Sequence, residues 1–220
     1  MSAKSEYPDT PKSLHKSNVN IRREREDLLH QRLPHIEELF DFVNSLRTQR
    51  AREHPINFEE KNIPHFDPLD GGIAAKCLFL FEAPGRGAVN SGFVSRNNPD
   101  ESAKTFFELN EKAELDRCLT VSWNVVPWYL GDGKRIRAAR AKDIREGLEH
   151  LWSLLELLKN IQVVVLGGRK SQRAKSDIQD KRPDICVTDM WHPSPQSLNR
   201  VPKRRKEILE TLHEVSRGIS

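Results

Sequence analysis

Residues Trp191 to Asn199 read Trp-His-Pro-Ser-Pro-Gln-Ser-Leu-Asn, a histidine followed by a turn stiffened by two prolines. Each proline fixes φ and removes a backbone donor, so this loop is a rigid mount for one imidazole. Three other stretches bring chemistry of different kinds. Glu82-Ala-Pro-Gly places a carboxylate immediately before turn residues, Asn124-Val-Val-Pro offers a primary amide, and Gly167-Gly168 is followed at once by Arg169, Lys170 and Ser171. Together these groups bring an imidazole, a carboxylate, an amide and a glycine pair with following cations, each able to donate or accept hydrogen bonds.

Each of the four follows a short apolar run that reads as a strand. The runs are Cys77–Phe81, Cys118–Trp123, 161–166 and 185–188. In open α/β sheets ligands bind outside the carboxyl ends of the strands. If these strands lie side by side, an imidazole, an amide, a carboxylate and a glycine pair converge on one crevice. A turn histidine that only closes a loop is the plainer reading of any single stretch, and four strand ends in order argue against it.

Helical periodicity fills the intervals. Residues 21–52 carry Leu28, Leu29, Ile36, Leu39, Phe40, Val43 and Leu46, and Pro34 divides them into two helices. Asn98-Pro-Asp-Glu101 resembles a helix start with Asn98 as the cap, opening a helix over 102–115. The stripe Ile144, Leu148, Leu151, Leu155 and Leu158 marks a long helix over 138–159, and a last helix spans about 202–215. The expected architecture is α/β: a three-layer α/β/α domain with a central four-stranded, mainly parallel sheet and a helical N-terminal extension. Residues 1–20 are expected to be a frayed tail, and 21–220 a single domain with 21–70 packed on it as the extension. The loop Pro64 to Gly72, rich in aspartate and glycine, suggests a tight, self-bonded turn, read as scaffold or as a DNA-facing loop.

Composition excludes several classes. The chain of 220 residues has no apolar stretch near the roughly 18 residues needed to span a bilayer and no apolar signal-peptide core, so a cytoplasmic protein without membrane partners is expected. Its three cysteines, Cys77, Cys118 and Cys186, fall short of the four thiolates of an iron–sulfur cubane, and no metal-ligand spacing occurs. Each lies in an apolar run and is expected to be buried as a small hydrophobe. No metal, no metal cluster and no other cofactor is expected, and a monomer is. The net charge of +4 permits a polyanionic partner. Arg200, Lys203 and Arg204 cluster with Arg205 and Lys206 near the start of the last helix, beside the histidine loop, where phosphate contact and a solvated face are equally open.

The ordered set Glu82-Ala-Pro-Gly, Asn124-Val-Val-Pro, Leu166-Gly-Gly and His192-Pro-Ser-Pro resembles the uracil-DNA glycosylase superfamily from about Cys77 to the C-terminus. The first two motifs are most similar to its iron–sulfur branch, whereas His-Pro-Ser-Pro recurs in branches without a cluster. The resemblance implies hydrolysis of the N-glycosidic bond of uracil, or of other deaminated bases, in DNA after base flipping, as the first step of base excision repair. It implies three catalytic residues: His192 donating to the base O2, Asn124 reading a uracil edge with both halves of its amide, and Glu82 orienting water. Ala83, Pro84 and Gly85 would shape the substrate pocket, with Gly85 standing where uracil-strict members carry a tyrosine. Phe93 would stack on the base, or be an ordinary core residue. Gly168, Ser171 and Ser194 would meet phosphates, and Gln196 stands where a leucine wedge is usual, with Leu198 as its substitute. A module that binds uracil-DNA or a nucleotide without turnover is the alternative. A nucleotide-processing hydrolase of another family lacks a nucleophile elbow or Walker loop in this sequence.

Overall fold

A computed structural model describes residues 3–56, 58–132 and 134–219. In chain order the regular elements are α1 (Val19–His30), α2 (Glu37–Glu53), β1 (His65–Phe66), β2 (Cys77–Phe81), α3 (Arg86–Ser91), β3 (Phe93–Val94), α4 (Glu101–Lys112), β4 (Thr120–Asn124), α5 (Ala141–Leu157), β5 (Val163–Gly167), α6 (Lys175–Lys181), β6 (Cys186–Met190), α7 (Pro195–Arg200) and α8 (Lys203–Ile219).

The four apolar runs do form one parallel sheet, in the order β4-β2-β5-β6. Its register pairs Phe81 with Asn124, Leu80 with Leu166 and Gly167 with Met190, which aligns the carboxyl ends. Strand β2 is apolar along its length because helices cover both of its faces. Leu78 and Leu80 join Val121, Trp123, Val164 and Leu166 in a core with α2, α5 and α6. Cys77 and Phe79, displaced by one residue, face the other way with Val165 into a second core with α4 and α8. The period-two alternation of strand side chains thus produces the three layers.

Several elements differ from the sequence expectation. Residues 3–20 dock rather than fray: Leu14 is buried, its N–H donates to the Asn97 carbonyl at 3.1 Å, and Asp9 pairs with Arg117 at 2.8 Å. Strand β4 starts at Thr120, leaving Cys118 exposed in the preceding turn, and Cys186 is exposed on β6, an edge strand. Only Cys77 is buried, and burial pushes its thiol pKa upward. The cap of α4 is Asp100, which accepts from the Ala103 N–H at 2.9 Å, while Asn98 instead bonds Ser91 and the Phe93 carbonyl. A small parallel pair, β1 with β3, went unanticipated.

The Pro64 to Gly72 loop is self-bonded as expected, Asp67 accepting from the Leu69 N–H at 3.0 Å, and it does more than turn the chain. Asp67, fully buried, also accepts from Arg25 of α1 at 2.6 Å, from Arg117 before β4 at 2.7 Å and from the Ser95 hydroxyl. Arg25 and Arg117 hold its carboxyl well below the usual carboxylate range against the opposing effect of burial. Arg117 reaches Asp70 as well, at 2.8 Å. Removing one partner from such a buried network leaves an uncompensated charge. Arg117→Met is therefore expected to lower stability by about 3–5 kcal/mol, measured by urea denaturation; a loss of less than about 1 kcal/mol, the scale of a surface pair, would show that the network is not what holds the extension in place.

Candidate active site

The aligned carboxyl ends open onto a cavity of about 320 Å³. Phe81 and the turn Ala83-Pro84-Gly85 form one side of it, α4 contributes Phe106, β4 contributes Ser122 and Asn124, and His192-Pro193 closes it from beyond β6. Ser122 and Asn124 are two residues apart on one strand and so share its face. Both are buried, and the Ser122 hydroxyl and Asn124 Nδ2 have no hydrogen-bond partner among the described residues. Buried polar groups are normally paired, so two open ones on one cavity wall mark a place where a polar ligand would complete the bonding.

His192 packs its ring edge-on against Phe81, with centroids 5.7 Å apart. Burial lowers its pKa, and the nearby carboxylates of Glu82 and Asp100 oppose that shift. The imidazole is therefore held towards its neutral form, which can still donate one N–H. Behind it, Gly168 has φ +98°, and a Cβ there would stand 3.1 Å from the His192 Cβ. Glycine is needed at 168 both for the backbone conformation and for the histidine's room.

Arg96 is the buried cation of this cavity, and sequence reading passed over it. It is 3 % exposed, donates to Thr120 Oγ1 at 2.7 Å, and its Nε has no partner among the described residues. Burial lowers its pKa from the usual arginine value, opposed by Asp70. Its only advance signal was a charged residue inside an otherwise uncharged stretch after Phe93-Val94.

A model of the uracil DNA glycosylase superfamily matches residues 68–215, more than half of the chain and the whole of this site. The chain belongs to that superfamily. Among solved structures, it is similar to a candidate uracil DNA glycosylase from Methanosarcina acetivorans determined by solution NMR. The two are 12% identical, with 64% of this chain and 91% of that one covered and a TM-score of 0.45. No curated protein matches.

For a superfamily member, the expected residues are distributed unevenly. Asn124, His192, Ala83, Pro84 and Gly85 line the cavity together, and nothing lies within 4 Å of a Cβ placed on Gly85. Glu82 is close by but not on the cavity wall: its Oε1 accepts from the Ala139 N–H at 2.6 Å, fixing the loop that follows β4. Phe93 is buried in the first core, paired with His65 across β1 and β3, so the aromatic surfaces in the cavity are Phe81 and Phe106.

The residues expected to meet DNA separate likewise. Ser171 is fully buried and its hydroxyl donates to the Gly168 carbonyl at 2.8 Å. Ser194 caps α7 through the Ser197 N–H, and Leu198 is buried in the second core. Arg204 lies over the Trp191 ring at 4.0 Å and donates to the Ser197 carbonyl at 3.1 Å, clamping α7 to α8. Gln196, Arg200 and Lys203 are exposed on the same end of the molecule. A larger groove of about 720 Å³ around Trp128 and Arg140 adjoins the cavity at Ile136 but holds neither Asn124 nor His192.

Among the described residues, no group of three or more His, Cys, Asp or Glu could hold a metal ion, and no helix is long and apolar enough to cross a membrane. Gly168→Ala is expected to cost about 1–3 kcal/mol, the scale of a non-glycine residue held at positive φ, and to displace His192. Histidine NMR checks both points. In the native protein the His192 midpoint should lie below 6.5, the ordinary value, and in the variant it should move back towards it. Because the unfolded chain binds that proton first, this histidine makes stability fall as pH drops below 6.5. An unmoved midpoint in a folded variant would mean that Gly168 does not position the imidazole.

Proposed function

We propose that the protein is a DNA glycosylase that hydrolyses the N-glycosidic bond of uracil in DNA, accepting other deaminated bases as its pocket allows. One observation carries this reading: the buried amide of Asn124, whose Nδ2 has no partner among the described residues, faces the same cavity as His192. A uracil flipped into that cavity would receive an N–H from Asn124 at O4 and give its N3–H to the amide oxygen. Cytosine presents the opposite pattern of donors and acceptors and would leave both groups mismatched.

Cleavage sends the bonding electrons of the glycosidic bond onto the base, and the negative charge gathers on its O2. His192 would donate its N–H there, and a neutral imidazole is suited because it needs no proton from solution at neutral pH. Arg96 adds a fixed positive charge to the same cavity, which favours an anionic leaving base. Phe81 and Phe106 would present their rings to the base. Glu82 would act at one remove, holding the Ala139 backbone and supporting His192 through its charge. The open space at Gly85 leaves room for a methyl or a second ring, which supports a range of bases wider than uracil. The engagement of Glu82 with Ala139 is the one feature that favours the alternative of a binder without turnover, and a labelled uracil-containing oligonucleotide, treated with alkali after incubation, separates the two on one gel.

His192→Ala is expected to slow single-turnover excision by roughly two to three orders of magnitude, the effect of losing one donor to a developing anion. Asn124→Ala should cost rate and also narrow the preference for uracil over cytosine, since the unpaired amide no longer penalises the wrong base. Wild-type rates in both variants would remove the cavity from the chemistry.

Phosphate binding is assigned to the exposed Arg200 and Lys203, not to the clamped Arg204. Replacing both by alanine should weaken binding to all sequences alike and flatten the dependence of log K on log salt by about one unit for each phosphate no longer neutralised. An unchanged slope would make these residues a solvated face.

A further inference from the structure

The reaction needs an acceptor that can hold water beside the sugar, a carboxylate being suited because it can also take the water's proton, and its position is constrained by the substrate. A flipped nucleotide stays tethered to the DNA backbone, so its sugar must sit at the mouth of the cavity while the base occupies the interior. The water-holding group therefore belongs on the rim. Glu82 is not on the cavity wall, and its bond from the Ala139 N–H turns it towards the loop that follows β4. Asp100 is on the wall, is exposed, and lies near enough to His192 to favour its charged form.

Resting on the glycosylase reading above, we infer that Asp100 is the catalytic carboxylate that orients the attacking water. Its two oxygens are differently employed. Oδ1 accepts from the Ala103 N–H at 2.9 Å as the cap of α4, which fixes the carboxylate in place. Oδ2 has no partner among the described residues, and Asp100 forms no ion pair there. The free oxygen is admitted by a missing side chain: a Cβ on Gly87, itself on the cavity wall, would lie only 2.6 Å from Oδ2. A side chain at position 87 would therefore press on Oδ2 and force the carboxylate or its neighbours to shift.

The step balances as a hydrolysis. As the C1′–N bond breaks, its electron pair leaves with the base, whose O2 receives the His192 hydrogen bond. The water held on Oδ2 gives an oxygen lone pair to C1′ and loses a proton to the carboxylate. Asp100 returns that proton to solvent, and solvent protonates the departed base. The products are a free base and an abasic sugar carrying the water's hydroxyl.

Asp100→Asn separates this role from the structural one, because asparagine caps helices as well as aspartate does. The expected result is an unchanged melting temperature, affinity for uracil-DNA within about two-fold, and single-turnover excision slowed by roughly 10² to 10⁴, the range for a lost general base. Asp100→Ser, which also keeps a capping oxygen, should be equally slow and partly rescued by added formate, and Glu82→Gln should lose far less rate than either. Excision by Asp100→Asn at the wild-type rate overturns the inference and leaves the glycosylase reading intact. So does a rate loss matched by lower stability or affinity. A wild-type protein that releases no base overturns both.

Discussion

A single buried carboxylate organises the half of this molecule that the sheet does not. Asp67 receives Arg25 from α1, Arg117 from the turn before β4 and the Ser95 hydroxyl from the segment after β3. An isolated ion in that position would be strongly unfavourable, so the charge is stable only when all its partners arrive together. That requirement couples the N-terminal helices to the site. Ser95 and Arg96 lie on the cavity wall, and Asn97, one residue further, bonds both Arg117 and Asp9 of the docked N-terminal segment. The extension is therefore a support for one side of the cavity.

The cavity itself is unusual in its balance of polar groups. Its aromatic walls are supplied by β2 and α4, and among them lie an unpartnered amide, an unpartnered hydroxyl and a guanidinium with one hydrogen bond. Polar groups left open by the rest of the protein in this way concentrate where a protein binds or reacts. The rigid elements make the arrangement possible: Asn124 is fixed by strand pairing, Asp100 by its helix cap, and His192 by proline and by the space over Gly168.

Strand order explains why the groups meet at all. With β2 between β4 and β5, the turn after β2 is adjacent to Asn124 on one side and to the Gly167-Gly168 turn on the other, and β6 adds His192 beside the latter. Parallel pairing puts all four carboxyl ends at one edge, as it does in open α/β sheets generally.

The sequence by itself determined the four strands, their order of polar endings and the family, because apolar runs and turn residues are local signals. It also located Asn124 and His192, whose places follow from strand ends. Local signals could not settle what depends on neighbours distant in the chain. Cys118 and Cys186 sit in apolar surroundings in sequence yet are exposed, because one precedes its strand and the other lies on an edge. Leu198 and Ser171, read as candidates to meet DNA, are packed inward, and Arg204, for which phosphate contact and a solvated face were equally open, lies over Trp191. The burial of Arg96, the Asp67 network and the turning of Glu82 towards Ala139 all require residues dozens of positions apart to meet. Burial and pairing are properties of that meeting, so only the tertiary structure could decide them.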